Sequence, residues 1–360
     1  MDFGLSDEQR LLQDSVGQFL AKENDATKLR ARFDAEEAFD AGLWRGMAEL
    51  GLAGLAIPEA HGGAGLELLD AALAAETLGH GAGPGPFLGH TLASLALALG
   101  GSAEQQRTWL PRLATGDALG TVALAEPDGA WQPEEWRLAA GSRLSGEKAH
   151  VPYAAAADVI VVGLAGGALG LVLREGGGLV VEPFPGVDRT RRLDALRFEG
   201  AACEALPGGA AAAKRVRDAG LVLLAADALG GASRLVEMSV EYAKTREQFG
   251  VTIGHFQALK HQLANMALEV EPGRALHWYA AHAFDHAPED APRAAALAKA
   301  HLTERFVSVA RDAVEAHGGI GYTWECDVQI WFKRALFDRA FLGAPSVHRE
   351  RAAALAGWGS

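Results

Sequence analysis

Along the chain the apolar positions change their period twice, and these changes mark its organisation. From the N-terminus to residue 118 they recur at spacings of three and four between Gly and Pro punctuation, which predicts amphipathic helices. Ser6, followed three residues later by Gln9, forms a capping box that opens the helix LLQDSVGQFLAKE. Further helical patterns cover 41–51, 66–80 and 103–114. The Gly/Pro cluster HGAGPGPFLGH, His80 to His90, reads as a loop between the last two.

From 119 to 206 the runs become short, β-branched or aliphatic, with turn residues between them: TVALAE, RLSGEKAHV, DVIVVGL, LGLVL, GLVVEPF and RLDALRF. They predict a small β domain, sandwich or barrel. After PGGAAAAK the helical period returns, with Leu221, Leu224, Ala228, Leu235, Met238 and Tyr242 on one stripe. Long helices are predicted over 257–286, 291–316 and 327–340, and a short one over 346–356. Pro272 and Gly273 should kink the first of them. The fold class is therefore α+β: an N-terminal helical domain (1–118), a middle β domain (119–206) and a C-terminal helical bundle (207–360). Helices of this length with apolar faces need a partner surface as well as each other, which predicts an oligomer.

The 360 residues, 49% of them hydrophobic, can bury a core without disulfides or metals. A formal charge of −13 disfavours nucleic acid and anionic membrane surfaces as partners. Cys203 and Cys326 stand alone and far apart, which fits two structural thiols in a reducing compartment. The N-terminus carries acids from its second residue and no signal-type apolar core, and no apolar run approaches the ~20 residues needed to cross a bilayer. A cytoplasmic protein is expected.

Neither a full G-x-G-x-x-G nor a G-x-x-x-x-G-K-[ST] motif is present, and no G-x-S-x-G elbow supports a hydrolase. His282 and His286 have metal-compatible spacing on a predicted helix but no matching carboxylate pair, so no metal is expected. Three segments are more informative. Arg246, Gln248 and Phe249 end one long helix, and Gln257 starts the next; an arginine, an amide and an aromatic at such a turn can clamp a pyrophosphate, or simply make a charged bundle corner. Glu315 precedes Gly318 and Gly319, whose backbone a ligand can approach closely, although a simple helix stop needs just one glycine. The loop IPEAHGGAG and the segment ALAEPDGAW are weaker signals singly.

Taken together, MDFGLSDEQRLL, GLAGLAIPEAHGGAGL, ALAEP, LSGEKAHVP, KTREQFGVTIGHFQALKHQLANM and EAHGGIGY, in this order, resemble the acyl-CoA dehydrogenase family over nearly the whole chain. The resemblance implies a middle β-barrel, a C-terminal four-helix bundle and FAD bound between the barrel and the bundles of two subunits. It implies abstraction of the α-proton of an acyl-CoA by a glutamate, with hydride transfer from the β-carbon to the flavin. Electron-transferring flavoprotein is the implied acceptor.

The chain departs from the family where that glutamate belongs. Counting forward from Gly321-Tyr322 places Leu342 at the position used by many members, and aligning LVLLAADALG places Gly220 at the position used by others. Neither can accept a proton. Ala125, His150 and Pro152 replace residues around the flavin ring, Ala344 and Ser346 replace two more flavin contacts, and Leu221 replaces an arginine near the thioester. What the resemblance retains is Arg246, Gln248, Phe249, Gln257, Gly318 and Gly319, with Glu315 for a usual glutamine. These correspond to the half-site that one subunit offers to its neighbour's flavin.

That asymmetry predicts a non-base subunit of a heteromeric acyl-CoA dehydrogenase, paired with a paralogue and acting on a bulky, steroid-like CoA thioester. Two other readings stay open. One is a self-sufficient homo-oligomer using Asp218, Asp227 or Glu237 as base, and the other is a flavin-free scaffold paralogue.

Overall fold

The computed structural model describes residues 4–35 and 39–358. Six helices come first: α1 (Asp7–Glu23), α2 (Ala26–Asp34), α3 (Ala41–Glu49), α4 (Leu68–His80), α5 (Phe87–Gly100) and α6 (Ala103–Ala114). The capping box forms as expected, with Ser6 Oγ accepting from the Gln9 N–H at 3.2 Å and Gln9 Oε1 accepting from the Ser6 N–H at 3.0 Å. Two helices were not foreseen. α5 runs through part of the segment read as a loop, and it is apolar almost all round and buried on nearly every face, so it has no polar stripe to betray its period. α2 is a nine-residue helix capped by Asp25, whose carboxylate accepts from the N–H groups of Thr27 and Lys28.

The strands are β1 (Gly120–Ala123), β2 (Arg143–Pro152), β3 (Val159–Leu164), β4 (Ala168–Leu173), β5 (Leu179–Phe184), β6 (Leu193–Ala202) and β7 (Glu204–Leu206). They form a four-stranded sheet in the order β1-β3-β4-β7 and a three-stranded sheet in the order β2-β6-β5. The expected barrel is not closed. Among the described residues, an isolated bridge between Ala125 and Ala149 joins the end of the β1 segment to β2. Leu144, Val151, Ile160, Val162, Leu196 and Phe198 share the domain's apolar core.

The C-terminal part contains α7 (Gly209–Thr245), the short hairpin β8–β9 (Glu247–Gln248 and Val251–Thr252), α8 (Gln257–Val270), α9 (Gly273–His286), α10 (Ala291–His317), α11 (Val328–Ala340) and α12 (Pro345–Leu355). The kink expected at Pro272 is a full break between α8 and α9. There Gly273 faces Leu302 so closely that a Cβ would lie 2.2 Å from its Cδ2. Contrary to the sequence reading, α7 is long and apolar enough to cross a membrane by length and composition, but 83% of its most apolar window is buried in this fold. It packs against α4 and α10, and at Gly230 it touches α4 backbone to backbone; a Cβ there would meet the Glu76 carbonyl oxygen at 1.8 Å.

One fully buried arginine locks the three parts together. Arg334 on α11 donates to Asp188 at 2.8 Å and to Thr190 in the β5–β6 connection, to both oxygens of Asp227 on α7 at 2.9 Å, and to the Gly83 carbonyl of the N-terminal part at 3.0 Å. Arg191 adds a third bond to Asp227 at 2.8 Å. The opposing pull of burial and of these two arginines leaves the Asp227 carboxyl below its ordinary range, while burial beside Asp227 pushes Asp338 well up. Replacing Arg334→Met leaves Asp188 without its buried cation, so the expected loss of stability is about 3–5 kcal/mol. Chemical denaturation checks this, and a loss below about 1 kcal/mol would show that the network is not a lock.

Candidate functional site

α7 stops at Thr245, and Arg246 turns into extended backbone while its N–H still bonds to the Tyr242 carbonyl at 2.8 Å. The hairpin that follows has a two-residue loop, Phe249-Gly250, with φ of 57° and 81°. Positive φ at both loop positions suits a tight hairpin, but the usual occupants are Asn or Asp followed by Gly. Phe249 is both strained and 94% exposed, and its ring meets Phe256 edge-on at 6.1 Å. A bulky residue that bears both costs marks a surface kept for something other than stability.

The second segment reaches the same end of the bundle. His317, the last residue of α10, stacks on Tyr242 at 4.5 Å, and Gln262 on α8 donates to Glu315 at 3.5 Å. Gly318 follows with φ of 64°, and a Cβ at Gly318, Gly319 or Gly250 would meet nothing within 4 Å. Arg246, Gln248, Phe249, Gln257, Glu315, Gly318 and Gly319 are all exposed there. The side chains of Arg246 and Gln257 make no hydrogen bond or ion pair among the described residues. A free guanidinium fork, an open glycine turn and an exposed aromatic ring can hold a pyrophosphate and a flat ring presented from outside. The face has one wall and no opposing surface of its own.

On the other face, the two positions expected to hold a base meet in space. Leu342 is 1% exposed, and a Cβ added to Gly220 would lie 2.4 Å from its Cδ1 and 3.2 Å from Leu92 Cδ1. The leucine fills the notch that the glycine leaves. The Leu342 carbonyl accepts from His348 Nε2 at 3.0 Å, so the imidazole's free lone pair is on Nδ1. Burial among cations pulls the His348 pKa down to about 3, too weak a base for a carbon acid.

The three carboxylates considered as substitutes are occupied. Asp218 pairs with Arg217 at 3.0 Å and Arg351 at 2.8 Å, Asp227 with Arg191 and Arg334, and Glu237 with His80 at 2.9 Å and Arg234 at 3.3 Å. His286, flagged for its spacing to His282, stacks on it at 4.5 Å and pairs with Glu67 at 2.8 Å.

At the place assigned to the flavin ring, aromatic side chains pack on one another. His150 sits at an irregularity between β2 and β6 with φ of 53°, which re-aims its ring. It stacks on Trp131 at 5.7 Å and meets Phe184 at 4.4 Å. Trp131 in turn packs on Phe341 at 4.8 Å, and Phe341 on Phe337 at 5.0 Å. A cleft of 240 Å³ remains beside this cluster, lined mostly by apolar side chains. Leu221, in place of the arginine, is fully buried, and Ser346 points to solvent. This face therefore lacks the hydrogen-bonding side chains that the resemblance expects around a flavin ring, whereas the corner at the far end of α7 carries groups that suit a phosphate and an adenine. Sequence reasoning missed the aromatic cluster; the i, i+4 pair Phe337 and Phe341 was its one local trace.

Five non-glycine residues among those described have positive φ, and three of them are Phe249, His150 and Leu342. Backbone strain gathers at positions that the resemblance assigned to cofactor and base, whether the side chain is retained, as at Phe249, or replaced, as at His150 and Leu342.

Two family models match the chain: acyl-CoA dehydrogenase, N-terminal domain, over residues 6–117, and acyl-CoA dehydrogenase, C-terminal domain, over residues 208–356. The chain is similar to acyl-CoA dehydrogenase IpdE2 of Mycolicibacterium smegmatis, with 34% identity covering 95% of this chain and 96% of that protein. Among solved structures it is similar to a variant of the Tcur3481-Tcur3483 steroid ACAD, with a TM-score of 0.90 and 34% identity over 98% of both chains. It is also similar to a chain of the ChsE4-ChsE5 complex from Mycobacterium tuberculosis, with a TM-score of 0.89 and 28% identity, covering 99% of this chain and 99% of that one.

Relief of the turn strain should be measurable in the chain alone. Phe249→Asn is expected to stabilise it by about 1 kcal/mol, since asparagine tolerates the left-handed region and removes an exposed ring. Thermal unfolding reads this, and a destabilised variant would mean that the ring packs in a way the exposed geometry does not predict.

Proposed function

The chain belongs to the acyl-CoA dehydrogenase family, and from that premise we propose that it serves as the non-base half of a heteromeric enzyme built with a paralogue. Members of the family are FAD-dependent oxidoreductases that act on acyl-CoA. When bound, the flavin supplies the hydride acceptor. In this reading Arg246 forks onto the pyrophosphate, Phe249 packs on the adenine, and the Gly318–Gly319 turn lets the ligand lie against backbone. Gln248, Gln257 and Glu315 complete the polar rim.

One observation carries the proposal: the side chain of Leu342 occupies the notch at Gly220, so both family positions for the base are spent on one apolar contact. A proton cannot leave the substrate's α-carbon to this chain, and the partner must bring the carboxylate. The aromatic cluster around His150 supports the same conclusion for the ring. The self-sufficient reading loses support because Asp218, Asp227 and Glu237 are each held by cations. A bulky, steroid-derived CoA thioester as substrate is supported by the likeness to a structure described as a steroid ACAD. Electron-transferring flavoprotein is the proposed electron acceptor.

The test is made in trans. The chain is co-expressed with its same-family paralogue, and Arg246→Ala is introduced in this chain alone. Loss of a charge-assisted phosphate contact should weaken flavin retention by the assembly at least about tenfold, with its size unchanged. Flavin retention equal to that of the unmodified assembly would refute the shared site.

A further inference from the structure

The turn Gly318–Tyr322 runs into Thr323, Trp324, Glu325, Cys326 and Asp327 before α11 begins. Its inner side is fixed locally: Gln329 donates to the Gly321 carbonyl, and Thr323 Oγ1 donates to the Ile320 carbonyl at 2.8 Å. Its outer side has a different support, from nearly the opposite end of the sequence. The guanidinium of Arg30, on α2 of the N-terminal part, donates to the Trp324 carbonyl, to the Glu325 carbonyl at 3.4 Å and to the carboxylate of Asp327. The same guanidinium lies over the Trp324 indole at 5.0 Å, while Lys333 Nζ lies over that ring at 4.8 Å and Phe33 packs on it at 5.0 Å.

This arrangement is more than a surface ion pair. An indole approached by two cations draws on its quadrupole twice, and the Asp327 carboxylate pairs with the Arg30 guanidinium. α2 is itself anchored, through the buried Leu29 and Phe33 and through Arg32, which donates to the Glu23 carbonyl and to Asn24 Oδ1 at 3.2 Å. The strut thus runs from α1 through α2 to the stretch immediately after the glycine turn, and that turn exposes Gly318, Gly319, Ile320 and Tyr322. An arginine fork that holds three acceptors fixes orientation as well as distance.

We infer that Arg30 and Trp324 are positioning residues: they set the pose of the Gly318–Tyr322 turn from the N-terminal domain and so tune the half-site offered to a partner's flavin. The inference rests on the shared-site reading above for its ligand and on the strut geometry for its mechanism. Neither residue touches the flavin in this reading. Arg30→Lys should behave like Arg30→Ala, since an ammonium cannot span the three acceptors, whereas Trp324→Phe keeps an aromatic face and should retain most of the effect.

Two measurements separate the possibilities. On the isolated full chain, amide hydrogen exchange across residues 318–327 should speed up about tenfold in Arg30→Ala and Trp324→Ala, with little change in α7 and α10 and a thermal midpoint close to that of the unmodified chain. In the co-purified assembly, the same variants should raise the FAD dissociation constant about tenfold, and Trp324→Phe should largely restore it. Unchanged exchange in 318–327 overturns the strut. Faster exchange with unchanged FAD affinity overturns its role in positioning. If the unmodified assembly binds no flavin, the shared-site reading and the positioning role both fall, and faster exchange would then support only the strut.

Discussion

Arg334 has no exposed surface, and the relation between the two faces of the molecule depends on where it is held. Its guanidinium closes the junction between the loop at Gly83, the β5–β6 connection at Asp188 and Thr190, and α7 at Asp227. A buried charge of this kind is tolerated because every donor finds an acceptor. The same helix ends a few residues later at Ala340, so the lock that joins the domains also fixes the path of Phe341 and Leu342. Leu342 then has one place to go, the notch at Gly220, and its φ of 60° is imposed from both sides.

The two faces have met backbone strain in opposite ways. At the bundle corner, Phe249 keeps a strained conformation and an exposed ring, which costs the isolated chain stability and makes sense only if something docks there. On the other face, His150 and Leu342 keep strained conformations while their side chains pack within the chain, His150 against Trp131 and Phe184 and Leu342 against Gly220. In the proposed reading, a donor corner has been preserved and the residues of an acceptor pocket replaced. A chain with that combination is useful to a different polypeptide whose pocket remains open, and two copies of this chain would offer two corners and no ring site.

Much of this was legible in the residues. The helix, strand, helix order, the capping box at Ser6 and the six strand segments follow from period and punctuation, because the amphipathic helices alternate buried and exposed faces and the short β-branched or aliphatic runs are bounded by turn residues. α5 escaped because it lacks that contrast, and the barrel expected from resemblance is two sheets because, among the described residues, a single isolated bridge at Ala125 joins them. The corner residues were also readable, since Arg246 to Gln257 and Glu315 to Gly319 are compact in sequence. Leu342 and Gly220 were each visible as missing bases. That they touch was not, because their contact is made by the tertiary fold across a long stretch of chain. The cluster of Trp131, His150, Phe184, Phe337 and Phe341 was hidden for the same reason.

The central claim, that this chain completes a flavin site without owning one, is tested most directly by visible absorbance converted to FAD per polypeptide, for the chain purified alone and after co-expression with its paralogue. The structure predicts no retained flavin in the isolated chain and one FAD per pair of different chains in the complex. One FAD per polypeptide in the isolated chain would contradict it.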